Sequence, residues 1–287
     1  MNNKMKIKSN GITKTKSKFS ASRFFIYLIL TVGAFISILP FIWMILTSFK
    51  NYHEVIARKW IPSSIRFSNY VIAWNMAPFP RYFANTFLVA TATVIGVLIT
   101  SILAGYAFAR MDFFGKNAIF ILFLSTMMIP FQIILIPNFI IIKKLGLYNT
   151  YLAMIIPWIG SVFSIFLFKQ FFTTIPEDYF DAATLDGCSH FRFLLHIALP
   201  LSKPILITVA LLNFIWSWNS FLWPLIITSE EKMRPIQVGL SYFTIEAGTN
   251  AHQLMAAATL TIFPIVLLYF FVQKQFIEGV KTAGLKG

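Results

Sequence analysis

The most varied ionisable side chains of this sequence gather in one short segment. Between Ile175 and Pro200 stand Glu177, Asp178, Asp181 and Asp186, followed by His190, Arg192 and His196. The four histidines, His53, His190, His196 and His252, lack metal-ligand spacing, and no Ser/His/Asp grouping is evident along the chain. Gly115-Lys116-Asn117 fails the phosphate-binding loop pattern at its last position and lacks the upstream glycine, so ATP is not held in that way. No catalytic residue, metal site or bound cofactor is expected. The segment offers shape and charge instead. Asp181 and Asp186 can accept from a basic partner, and Ala182 and Ala183 are small enough for close approach.

A second grouping mixes amides with indoles: Asn213, Trp216, Asn219, Ser220 and Trp223. In a helix, Asn213, Trp216 and Ser220 share a face at i, i+3 and i+7, with Trp223 nearby. Amides and an aromatic plate suit a sugar, which offers hydroxyls and an apolar ring face. The same residues also suit hydrogen bonds between helices and aromatic anchoring at a membrane interface. Both readings stay open for this candidate translocation path.

The elements that must position these groups follow from composition. The chain is 57% hydrophobic and 12% charged, about half the charged share of a soluble protein. The formal charge of +14 lies in short clusters between apolar stretches, most densely from Lys4 to Arg23. No basic stripe follows a soluble domain, which argues against nucleic-acid binding. The single cysteine, Cys188, excludes an intrachain disulfide. Six segments free of Asp, Glu, Lys and Arg are long enough to cross a bilayer core, which takes about 20 apolar residues in a helix. They are Phe24–Thr47, Tyr82–Ala109, Asn117–Ile142, Tyr151–Phe168, Pro204–Ser229 and Leu254–Gln273. The first is too long for a signal peptide and has no clear cleavage site, so it is read as a retained span.

The expected fold is all-α, a polytopic membrane protein with six transmembrane helices and both termini cytoplasmic. Residues 1–23 form a basic tail, 24–274 the membrane domain with a polar loop at 175–200, and 275–287 a C-terminal tail. The larger share of the 24 Lys and Arg falls on the inner side in this orientation. Pro130, Pro137, Pro157, Pro224 and Pro264 interrupt spans three to six, either as ordinary bends or as a gate. Two outer loops, Ser48–Arg81 and about Glu230–Gln253, either face a partner or simply connect spans. With no Asp, Glu, Lys or Arg in its spans, a proton-driven carrier is disfavoured. A passive pore, or a subunit driven by another component, remains.

The polar loop decides between them. Pro176 suits a first helical turn, Glu177 and Asp178 the positive helix end, and Gly187 a left-handed stop. A second helix starts near Ser189 and runs to a turn at Leu199-Pro200. Tyr179, Ala182, Ala183 and Asp186 are expected on one face. Alone, these features fit either a docking helix or a connector along the membrane.

The run Asp181-Ala182-Ala183, three residues, Gly187, nine residues, Ile197-Ala198-Leu199-Pro200 resembles the EAA loop of bacterial ABC-importer permease subunits. Asp181 stands where that pattern has Glu. Ala109-Arg110 and the end Gly279-Val280-Lys281-Thr282-Ala283-Gly284-Leu285-Lys286-Gly287 resemble the maltose-type sugar permeases. The resemblance covers nearly the whole chain from Phe24. It implies a permease subunit in a bacterial cytoplasmic membrane, not an enzyme. It further implies a second permease, a cytoplasmic ATPase dimer that carries the ATP and Mg, and an extracytoplasmic solute-binding protein. Asp181, Ala182, Ala183, Gly187, Ile197, Leu199 and Pro200 would then form the ATPase-coupling site, and the solute would be a sugar or oligosaccharide. The alternatives are another solute such as glycerol phosphate, or a non-transporting scaffold or membrane enzyme.

Overall fold

The computed structural model describes residues 21–246 and 250–284, with side chains described in 24–241 and 250–274. The basic tail before Ala21, and the last three residues of the C-terminal tail, lie outside the described residues. Every regular element among those described is helical. The chain divides into two units, Met1–Met44 and Ile45–Gly287. The first holds most of helix α1 (Ala21–Ser48), whose apolar surface is exposed from Phe24 onward.

Three helices are long and apolar enough to cross a membrane unbroken: Phe24–Ser48, Phe79–Arg110 (α4) and Ala251–Lys274 within α15 (Ala251–Gly284). At about 1.5 Å per residue, α4 measures about 48 Å and overreaches a bilayer core of about 30 Å. Three further pairs reach span length only when taken together. Helices α5 (Lys116–Thr126) and α6 (Phe131–Lys144) meet at 100°. Tyr151–Trp158, made of α7 (Tyr151–Ile155) and a 3₁₀ turn, meets α8 (Val162–Thr173) at 45°. His190–Leu201 meets α12 (Lys203–Trp218) at 81°. The fold therefore supplies three to six spans.

These bends correct several expectations. The third segment is no single helix: Pro130 takes an extended ψ of 137° and, without an N–H, starts α6 afresh. The fifth stops at Trp218; after Asn219–Phe221 only the short α13 (Leu222–Ile227) follows, around Pro224. Pro137 and Pro264 lie inside helices that continue. The C-terminal segment stays helical as far as Gly284.

Helix α4 is the hub of the second unit and packs against α8 and α12. Its glycines explain how closely α8 comes. A Cβ on Gly105 would stand 2.7 Å from Phe168 Cβ and 3.0 Å from the Lys169 backbone nitrogen, and one on Gly96 would stand 2.6 Å from Ile159. Without a hydrophobic driving force between helices in lipid, such small-residue contacts let dispersion hold a bundle together. The loop Ser48–Arg81 is built, not slack. It carries α2 (Tyr52–Ile56), capped by Asn51 and Glu54, and α3 (Ser68–Met76), which packs on α15. Asn69 pins it by donating to the carbonyls of Ser48 and Lys50, both at 2.8 Å.

Candidate functional site

Helix α9 (Glu177–Leu185) begins after Pro176, which holds the N-cap position, one residue earlier than its sequence pattern predicts. Its far end is a complete Schellman motif. Gly187, at φ +74°, donates to the Thr184 carbonyl (2.9 Å), and Cys188 donates to that of Ala183 (2.9 Å). Ser189 then caps the next helix by accepting from the Arg192 N–H (3.4 Å).

The helix turns one side inward. Ala183 is buried with Tyr106, Phe172, Ile175 and Phe193, and Phe180 packs on the same cluster. Ala182, Tyr179, Asp178, Asp181, Leu185 and Asp186 face out. The two alanines expected on one docking face are thus divided: Ala183 serves close packing within its own chain, and Ala182 is available to another surface.

Two links tie this helix pair to α4. The Tyr106 hydroxyl lies 3.2 Å from His190 Nδ1, whose ring stacks on Phe180 with centroids 4.8 Å apart. The Arg110 guanidinium donates to the Ile175 carbonyl, at the approach to α9. Between α9 and the end of α4 lies a polar cavity of about 440 Å³, lined by Arg110, Asp112, Lys116, Glu177, Asp181 and His190 among others. Asp181 therefore lines a charged recess.

From His190 the chain does not turn at Leu199-Pro200. Helix α10 (His190–Phe193) passes through a π turn at Leu194–Ala198 into α11 (Leu199–Leu201), and the corner is the buried Ser202. A π turn shifts the hydrogen-bond register just where Pro200 has no N–H to give. Ser202 closes the corner by donating from its backbone to Ala198 (3.0 Å) and from Oγ to Leu199 (2.8 Å). Ile197 packs on the same core as Ala183, Leu199 is half-buried, and Pro200 is exposed.

The amide and indole group gathers around two adjoining cavities, of about 350 and 440 Å³, which share Trp158, Leu212 and Trp216. Asn213 lines the first, and Asn219, Ser220 and Trp223 the second. The Asn213 amide donates to Ser164 Oγ (3.0 Å) and to the Val209 carbonyl (2.8 Å). Trp223 is fully buried, its indole N–H given to the Ala153 carbonyl (3.0 Å). Both therefore hold helices together as well as bordering space. The residue that sequence reasoning missed is Trp158. Its ring lies 5.0 Å from Trp216 and 5.9 Å from Trp223, and it borders both cavities. Only its place beside Pro157 in the fourth segment signalled it.

A further polar cluster sits at the Phe79 end of α4, the end away from Arg110. Asn85 donates to the carbonyls of Lys232 (2.8 Å) and Arg234 (2.9 Å) and accepts from the Tyr151 hydroxyl (2.7 Å). Tyr82 donates to Glu231 (3.0 Å), and Thr86 Oγ1 accepts from the Ile236 N–H (2.8 Å). Nothing in the sequence pattern linked these residues.

Residues 96–282 match the family described as binding-protein-dependent transport system inner membrane component. The chain belongs to that family. It is 36% identical over 268 residues to the arabinooligosaccharides transport system permease protein AraQ of Halalkalibacterium halodurans, covering 90% of this chain and 96% of that one. It is 35% identical over 207 residues to the sn-glycerol-3-phosphate transport system permease protein UgpE of Yersinia pestis, covering 71% and 74%. Its fold matches a crystal structure of a bacterial ABC transporter involved in the import of the acidic polysaccharide alginate. That match has a TM-score of 0.79 at 26% identity and covers 90% and 99% of the two chains. The protein is a multi-pass inner-membrane permease of a binding-protein-dependent ABC importer, and not an enzyme. This permease family implies a separate ATPase as its energy source.

Proposed function

We propose that this permease forms half of a carbohydrate translocation path and receives the ATPase stroke through the loop 177–200. It spans the membrane six times, with both termini and the loop in the cytoplasm. Residues 1–23 are its basic tail, 24–274 its membrane domain and 275–287 its C-terminal tail. A second permease completes the path, an ATPase dimer with ATP and Mg seats α9, and an extracytoplasmic binding protein delivers the solute. The observation that carries the coupling role is the form of α9. It starts at Pro176, is closed at its C-terminal end by the Gly187 motif and anchored through Ala183 and Phe180, and it shows Asp178, Asp181, Ala182 and Leu185 outward. A rigid, charged, short helix with one anchored side suits a lever better than a connector does. Gly187 supports its end, Ile197 and Leu199 join it to the body, and Pro200 lies in the helical turn that leads to the Ser202 corner before α12. The acidic Asp181 at the recess suits a basic side chain of the ATPase.

For the solute, the cavities beside Trp158 and Trp216 are bordered by indoles, Asn213, Asn219, Ser161 and Ser220, with no Lys or Arg. That chemistry favours an uncharged sugar over glycerol phosphate, whose dianion calls for cationic or N–H donors. The relatives named above include transporters for both kinds of solute. Replacing Gly187 with Leu tests the coupling role: we expect normal membrane insertion and complex assembly with uptake lost. Uptake at the unaltered rate in that variant would refute it. Uptake of labelled arabino-oligosaccharide and of labelled glycerol phosphate, each compared with a strain lacking this permease, tests the solute; permease-dependent uptake of glycerol phosphate without that of the sugar would overturn the sugar reading.

A further inference from the structure

The two ends of α4 hold two separate pieces of the chain. At one end, Tyr106 meets His190 and Arg110 donates to Ile175, so the helix grips both sides of the α9 loop. At the other, the segment 231–239 is packed through its buried Met233, Ile236 and Val238 side chains and is also held by its backbone. Asn85 is 2% exposed and uses both amide hydrogens on the carbonyls of Lys232 and Arg234, while the Tyr151 hydroxyl fills its acceptor. Thr86 accepts from the Ile236 N–H. Gly239 lies flat on Tyr82, since a Cβ there would fall 2.3 Å from the ring. Between Asn85 and Tyr106 runs unbroken helix, about 32 Å long. Gly96 and Gly105 seat that stretch tightly on Ile159 and Phe168.

We propose that α4 is a two-ended linkage, with Asn85 the positioning residue that makes the segment 231–239 follow the movement of the α9 loop. The argument rests on the proposed coupling role of that loop. Bonds to backbone carbonyls fix the path of a segment whatever its side chains contact. A buried amide with every group satisfied resists slipping, because any shift leaves donors and acceptors unpaired in a low-dielectric site. Between Arg110 and Asn85 the helix has no break and no proline, so it curves only gently and carries a displacement at Arg110 towards Asn85. If the α9 loop faces the ATPase, the opposite end of this long helix lies on the outer face. The nucleotide state would then be written onto the surface that a binding protein meets.

The test uses the assembled complex and needs no knowledge of the solute. Hydrogen–deuterium exchange is compared between nucleotide-free complex and complex trapped with MgATP and vanadate. In the unaltered protein, exchange in both 177–187 and 231–239 should change by about threefold or more. Asn85→Ala should keep the change at 177–187 and lose it at 231–239. The paired variant Tyr106→Phe/Arg110→Gln leaves the Asn85 contacts in place. It should show unaltered nucleotide-free exchange at 231–239 but at most about half the nucleotide response there. That separates a linkage from mere local loosening, and it decides the matter should Asn85→Ala not assemble. A full response of 231–239 in the paired variant, or none in the unaltered protein while 177–187 responds, would overturn the linkage. No response at 177–187 in the unaltered protein would instead overturn the coupling role of the loop.

Discussion

Glycines 105 and 187 are constrained for opposite reasons, and substitution should expose the difference. At Gly187 an added Cβ meets nothing within 4 Å, but the φ of +74° disfavours any L side chain. Gly187→Ala should therefore cost about 1 kcal/mol, confined to the end of α9 and visible as faster local amide exchange rather than a lower global midpoint. Glu54 makes a pH prediction. It accepts from the Asn51 N–H (2.9 Å) and the Ser63 N–H (2.8 Å), which hold its carboxyl at about 2 instead of the usual 4.5 despite burial. A depressed carboxylate stabilises the fold fully above about pH 4.5, and that contribution fades as pH falls towards 2. In detergent, Glu54→Gln should remove this part of the acid dependence of the thermal midpoint, and an unchanged profile between those pH values would contradict it. Residue types were legible in the sequence, but their directions were only partly so. Neighbouring residues on a helix point about 100° apart, which is why Ala182 and Ala183 divide between partner and core. Nor does a Trp or Asn announce whether its N–H is spent at home, as those of Trp223 and Asn213 are.

At the level of elements, the α4–α8 contact should be the least tolerant of added volume. Gly105→Leu must push against Phe168 and the Lys169 backbone, and should lower stability by about 1–3 kcal/mol, read from the denaturation midpoint in mild detergent. Gly33, with nothing within 4 Å of an added Cβ, is the control. The positions of the apolar segments could be read directly, since lipid demands long runs without charge. Their straightness could not. A broken helix survives in a bilayer where neighbouring protein supplies the missing hydrogen bonds, and hydropathy carries no trace of that help. Thus the 100° bend before Phe131 and the break after Trp218 both sit inside runs that look continuous. Pro200 misled in the other direction: a proline before a corner reads as the turn itself, whereas the π turn ahead of it lets the helix run on to Leu201.

For the whole molecule, reversing the charge of Asp181 should separate energy use from transport. Asp181→Lys in the assembled importer should abolish uptake while ATP hydrolysis persists, and a preserved ratio of hydrolysis to uptake would argue against a basic partner at that recess. The loop was the most legible part of the site because its punctuation is local: a proline, two acids, a glycine and a serine each act within one turn. The Asn85 cluster was illegible because Lys232 and Arg234 lie 147 and 149 positions away in the chain, and both bonds set a side chain against bare carbonyls. The closed end of α9 has one practical consequence. The residue that completes it, Cys188, is the only thiol of the protein and is half-buried there. A fluorophore or spin label attached without removing any native cysteine therefore reports from one known address, beside Gly187, and could follow that corner through a turnover cycle.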